Sequence, residues 1–107
     1  MFTFLKKQNR VVEEKIRAHI YASGRVQGVY YRDTSKKKAK KLGVLGWIKN
    51  LKDGRIEGVF EGDKSKVEKM VNWSRKGSFW ASVDSFDVIW QDYGKEFSDF
   101  EIRYDIL

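Results

Sequence analysis

The segment Lys15–Leu42, KIRAHIYASGRVQGVYYRDTSKKKAKKL, holds three patterns in succession. In Lys15–Ser23 the alternation is strict: Ile16, Ala18, Ile20 and Ala22 share one side, Lys15, Arg17, His19 and Tyr21 the other. An extended chain sends successive side chains to opposite faces, so this predicts a half-buried strand. Asp33 to Leu42 reads as a helix whose apolar side carries Tyr31 or Ser35, then Ala39 and Leu42, and Gly43 stands where helices commonly end. Between strand and helix lies Gly24–Arg32, GRVQGVYYR, with two glycines and two arginines.

Downstream, the strand-like run Leu45–Asn50 and the run RIEGVFEG flank an Asp53-Gly54 pair, which predicts a hairpin. Asp63 is placed to cap a second helix over about residues 64–76. Its apolar side carries Val67, Met70, Val71 and Ser74, and Gly77 ends it. A longer strand follows, with Phe86, Val88 and Trp90 on one side, and a short last strand has Phe100, Ile102 and Tyr104 aligned. Trp47 and Trp90 are assigned to the core. The order is βαββαβ plus a short C-terminal strand. Two split βαβ units predict an α+β, ferredoxin-like α/β sandwich, with an antiparallel sheet and both helices on one face.

At 107 residues the chain has room for one core. A chain of this length buries roughly 65% of its unfolded surface, enough to fold without staples. Residues 1–14 lack a clear period and read as an N-terminal extension, with the domain at 15–107. Cysteine is absent, which excludes disulfides, thiol catalysis and Cys-type zinc sites, and the single His19 excludes an imidazole cluster. On the polar side of its strand, His19 reads as a sheet-surface residue. The 22 Lys and Arg against 15 Asp and Glu give a net charge of +7, which favours anionic partners without choosing among them. The lysines at 36, 37, 38, 40 and 41 read as a solvated helix face. Only five residues precede the first lysine, too few for the apolar region of a signal peptide, and no apolar run is long enough to span a bilayer. The expectation is a soluble, cytoplasmic, monomeric protein.

The junction has a chemical reading. The first N–H groups of a helix lack intrahelical partners and carry about half a positive charge. A glycine-bearing loop leading into them can turn several N–H groups toward one point and hold a phosphate. Arg32, in the first turn, adds a bidentate donor. Glycines at a strand-to-helix turn also serve plain connection, and the pattern alone leaves both readings open. Neither a Walker A loop nor a dinucleotide fingerprint fits its glycine spacing. Asn50, before the hairpin turn, reads by itself as a turn residue.

GRVQGVYYR, LGVLGWIKN, DGRIEGVFEG and the closing FEIRY, taken together, resemble the acylphosphatase family, over about Lys15 to Tyr104. That resemblance implies an enzyme that hydrolyses the carboxyl–phosphate bond of acyl phosphates to a carboxylate and inorganic phosphate, with neither metal nor cofactor. It implies that the loop Gly24, Arg25, Val26, Gln27, Gly28, Val29 and Tyr30 cradles the phosphate. It makes Arg32 and Asn50 the catalytic pair, one binding phosphate oxygens and the other orienting water. Phosphate or sulfate is then expected as a product-like ligand. Tyr31 stands where the family usually has phenylalanine, and SFWAS replaces a segment that usually contains proline. The competing reading is a non-catalytic anion- or RNA-binding module of the same fold. RNA is disfavoured, because RIEGVFEG lacks the aromatic motif of RNA-recognition domains and carries two acids.

Overall fold

The computed structural model describes residues 12–105. Its elements are β1 (Lys15–Arg25), α1 (Tyr31–Leu42), β2 (Leu45–Asn50), β3 (Ile56–Asp63), α2 (Lys64–Ser74), β4 (Ser82–Asp92) and β5 (Phe100–Ile102). The sheet order is β4-β1-β3-β2-β5. β1 pairs antiparallel with both β3 and β4, and β2 pairs antiparallel with β3. β1 and β2 are thus parallel across β3, joined by α1, while β3 and β4 are parallel across β1, joined by α2. These are the two interlocked split βαβ units of a ferredoxin-like α+β fold. β5 departs from the antiparallel pattern by pairing parallel with β2.

Both helices pack on one face, α2 over β1 and β3, α1 over β2 and β5. The core between the layers takes Ala18, Ile20 and Ala22 from β1, Ile48, Ile56 and Phe60 from the central hairpin, and Val67, Met70 and Val71 from α2. These are the positions that the two periodicities select. Burial of a Val, Ile or Phe side chain stabilises by about 1.5–3 kcal/mol, so this stripe holds the helices in place.

Three expectations are corrected. Trp90 is 50% exposed: β4 is an edge strand, and the helices cover the strands beyond it, leaving Val83, Phe86 and Val88 as the β4 residues packed on the core. Trp47 is half-buried on the opposite face, where the guanidinium of Arg103 and the ammonium of Lys49 lie over its ring. Asp63 makes no side-chain cap to α2 and pairs with Lys15 at 2.6 Å instead. The cap comes from residues assigned to the extension: Ser65 N–H donates to Glu13 Oε1 at 2.6 Å, and Lys64 N–H to Glu14 O at 2.8 Å. The rest of the extension, residues 1–11, lies outside the described residues. His19 sits on the outer sheet face as expected, bonded to Glu57 at 2.7 Å and stacked on Tyr21. No helix among the described residues is long and apolar enough to cross a membrane.

Candidate functional site

The site residues named from the sequence fall into two groups. Gly24 and Arg25 still belong to β1, paired with Val83 and Ser82 of β4. The register shifts between Ser23 and Gly24, and Gly24 has φ +118°. A Cβ there would meet Ser82 O at 2.4 Å and Asp84 N at 2.8 Å, so the backbones can approach only because the side chain is a hydrogen. Val26 is buried in the core, and its N–H closes a tight turn onto Gly24 O at 3.1 Å. Among the described residues, the backbone N–H groups of Gln27, Gly28, Val29 and Tyr30 have no acceptor.

The run ends in two left-handed residues. Gly28 has φ +73°, and Tyr30, the residue before α1, has φ +66°. The second is uncommon for a residue with a side chain and costs on the order of 1 kcal/mol or more, a strain characteristic of functional turns. It is held by its surroundings. Tyr31 is buried, with its hydroxyl donating to Ser74 O at 2.6 Å, and Ser78 Oγ donates to Val29 O at 2.6 Å. Burial pushes the Tyr31 hydroxyl far above its ordinary pKa, so it remains a donor. Thr34 Oγ1 donates to Tyr30 O at 2.7 Å and completes the first turn.

A cleft of about 280 Å³ opens at this turn, lined by Val26, Gly28, Tyr30, Tyr31, Arg32 and Asp33. Among the described residues no carboxylate forms an ion pair with Arg32, whose guanidinium lies 5.4 Å from the centre of the Tyr104 ring. The sequence aligns Tyr104 with the last strand and does not show its packing on Arg32. The parallel register places it there: Gly46 pairs with Phe100 and Ile48 with Ile102, and Arg103 N–H donates to Ile48 O at 2.9 Å. That offset carries Tyr104 toward the level of Asn50.

Asn50 ends β2, and its Oδ1 is the one buried side-chain oxygen or nitrogen without a partner among the described residues. Gln27 joins the two halves of the site. Its side-chain N–H groups donate to Leu51 O at 2.8 Å and Arg55 O at 2.9 Å, across the turn that follows Asn50. The structure thus brings the loop, Arg32 and the Asn50 turn to one end of the sheet, while leaving Gly24, Arg25 and the Val26 side chain as framework.

Fold and cleft define a ferredoxin-like α+β sandwich with a strand-to-helix loop open at a helix N-terminus. The acylphosphatase family model matches residues 18–102. An acylphosphatase from Pelotomaculum thermopropionicum is 51% identical over 90 residues, covering 84% of this chain and 98% of that protein. The solved acylphosphatase of Bacillus subtilis aligns with a TM-score of 0.79 at 31% identity, over 83% of this chain and 99% of that one. That of Coxiella burnetii aligns with a TM-score of 0.76 at 33% identity, over 84% and 94%. The chain belongs to the acylphosphatase family and is a hydrolase of acyl phosphates.

Proposed function

We propose that the N–H groups of Gln27 to Tyr30, with Arg32, hold the phosphoryl group of an acyl phosphate, and that Asn50 orients the water that attacks it. The observation carrying this reading is the run of four consecutive unpartnered N–H groups leading into the helix that bears Arg32. Unmade bonds of this kind are costly wherever water is excluded, and an anion satisfies them together.

Water attacks phosphorus as the bond from phosphorus to the carboxylate oxygen breaks, giving carboxylate and inorganic phosphate. The leaving carboxylate is stable and needs no general acid. Catalysis then consists of neutralising charge on the equatorial oxygens and holding the nucleophile in line. The cradle and the guanidinium do the first, with each charge-assisted bond contributing roughly 1.5–3 kcal/mol. A carboxamide both accepts from and donates to one water, which is the role given to Asn50 at the end of β2. No ionisable base is needed, since a phosphate oxygen takes the water's proton.

The test is hydrolysis of acetyl phosphate. The parent chain turns over with inorganic phosphate as a competitive inhibitor, and Arg32→Ala raises both KM and the phosphate inhibition constant. The kcat of the parent changes little from roughly pH 5 to 8, because the proposed step uses no ionisable base. A bell-shaped profile removed by His19→Gln would overturn the mechanism, and an unchanged phosphate affinity in Arg32→Ala would overturn the cradle.

A further inference from the structure

The segment GSFWAS, Gly77–Ser82, supplies no N–H group to the proposed cradle, yet it is fastened beside it at both ends. Ser78 Oγ donates to Val29 O at 2.6 Å, and Ser82 pairs with Arg25. Ala81 N–H bonds to Ser78 O at 3.0 Å and closes the turn between these anchors. The tip, Phe79 and Trp80, is therefore held beside residues 25–29 and not free to swing away. The two rings meet edge to face, centroids 4.9 Å apart, while Phe79 is 89% and Trp80 61% exposed.

Large exposed apolar side chains usually occur singly. Here they gather at one end of the sheet. Of the five exposed aromatic residues described, Tyr30 lines the cleft, Tyr104 packs on Arg32, and Phe79 and Trp80 form this turn; only Trp90 lies elsewhere. A second concavity of about 410 Å³ runs along Lys76, Gly77, Ser78, Phe79 and Ala81. An acyl phosphate has two parts, an anionic head and an acyl group that must project from the cradle. The apolar surface next to the cradle is aromatic, and aromatic rings prefer offset or edge contacts with other rings.

We propose that Phe79 and Trp80 form the acyl-group subsite and select aromatic acyl phosphates over small aliphatic ones. This rests on the acyl phosphate reading above. Phosphate oxygens bind at the cradle, and the acyl group lies against the Phe79–Trp80 turn, so the subsite adds binding energy only where the substrate carries a ring.

The experiment compares benzoyl phosphate with acetyl phosphate for the parent chain, Phe79→Ala/Trp80→Ala and Trp80→Phe. For the double variant, kcat/KM on benzoyl phosphate falls roughly tenfold, while that on acetyl phosphate stays within about twofold. Its inhibition by inorganic phosphate and its melting temperature are unchanged, because both rings are exposed. Trp80→Phe keeps most of the selectivity. An equal loss on both substrates, or no loss on either, overturns the subsite while leaving the hydrolase reading in place. A parent chain that hydrolyses neither substrate overturns both.

Discussion

Replacing Gln27 by alanine separates the loop from the Asn50 turn without touching either catalytic side chain. Gln27 contributes two bonds, to Leu51 O at 2.8 Å and Arg55 O at 2.9 Å. Both carbonyls keep a hairpin donor when it is lost: Gly54 N–H reaches Leu51 O at 3.1 Å, and Leu51 N–H reaches Arg55 O at 2.8 Å. No buried acceptor is orphaned, so the cost stays near the ordinary value of about 0.5–1.5 kcal/mol per bond, or about 1–3 kcal/mol for the pair. Expressed in the site, that is a loss of roughly 5–150-fold, and it falls on kcat because the cradle still binds phosphate but no longer sits in fixed relation to Asn50. Steady-state kinetics on acetyl phosphate, with phosphate inhibition and a melting curve, measures all three quantities. Gln27→Glu goes further, since a carboxylate cannot donate to the two carbonyls and repels the anion, so KM rises as well. Parental kcat in Gln27→Ala, with or without lost stability, would refute the idea that this side chain couples the two halves of the site.

Tyr31→Phe removes the bond from the buried hydroxyl to Ser74 O and costs about 1 kcal/mol, a fall of roughly 4–8 °C in melting temperature, with kcat retained. Gly24→Ala drives a Cβ to 2.4 Å from Ser82 O at φ +118°, and thermal melting should report a loss of roughly 2–4 kcal/mol. Among the described residues three carboxyls have lowered pKa values: Glu13 through Ser65, Asp53 through the backbone N–H and then the side chain of Arg55, and Asp99 through the N–H of Phe100 and then Lys40. A depressed folded pKa contributes stability present above the unfolded value, about 4, and lost as pH falls through the folded one. The melting temperature should therefore decline from pH 5 toward about pH 3, less steeply in Glu13→Gln.

Those elements whose causes are local were legible in the sequence. Strict alternation in Lys15–Ser23 puts Ala18, Ile20 and Ala22 inside, and Val67, Met70 and Val71 recur with the helix turn, so strand, helix and βαββαβ order follow from spacing. The place of the junction between strand and helix is legible, but its glycines alone leave plain connection and anion binding both open. What stayed hidden depends on contacts between distant residues. The parallel pairing of β5 on β2, the packing of Tyr104 on Arg32 and the capping of α2 by Glu13 join segments more than 50 residues apart. Trp90 looks like a core residue by its alternation and is not, because edge position is a property of strand order and not of period. Within GRVQGVYYR the sequence could not separate Val26, whose N–H is already bonded, from the four residues whose N–H groups remain open.

The central claim is that Asn50 acts on the water and the loop with Arg32 acts on the phosphate. Asn50→Ala, assayed with acetyl phosphate and with inorganic phosphate as inhibitor, divides these roles. The account predicts that kcat falls on the order of 10²-fold or more, while KM and the phosphate inhibition constant stay near the parent's. A kcat close to the parent's, or a loss carried mainly by weaker phosphate binding, would contradict it.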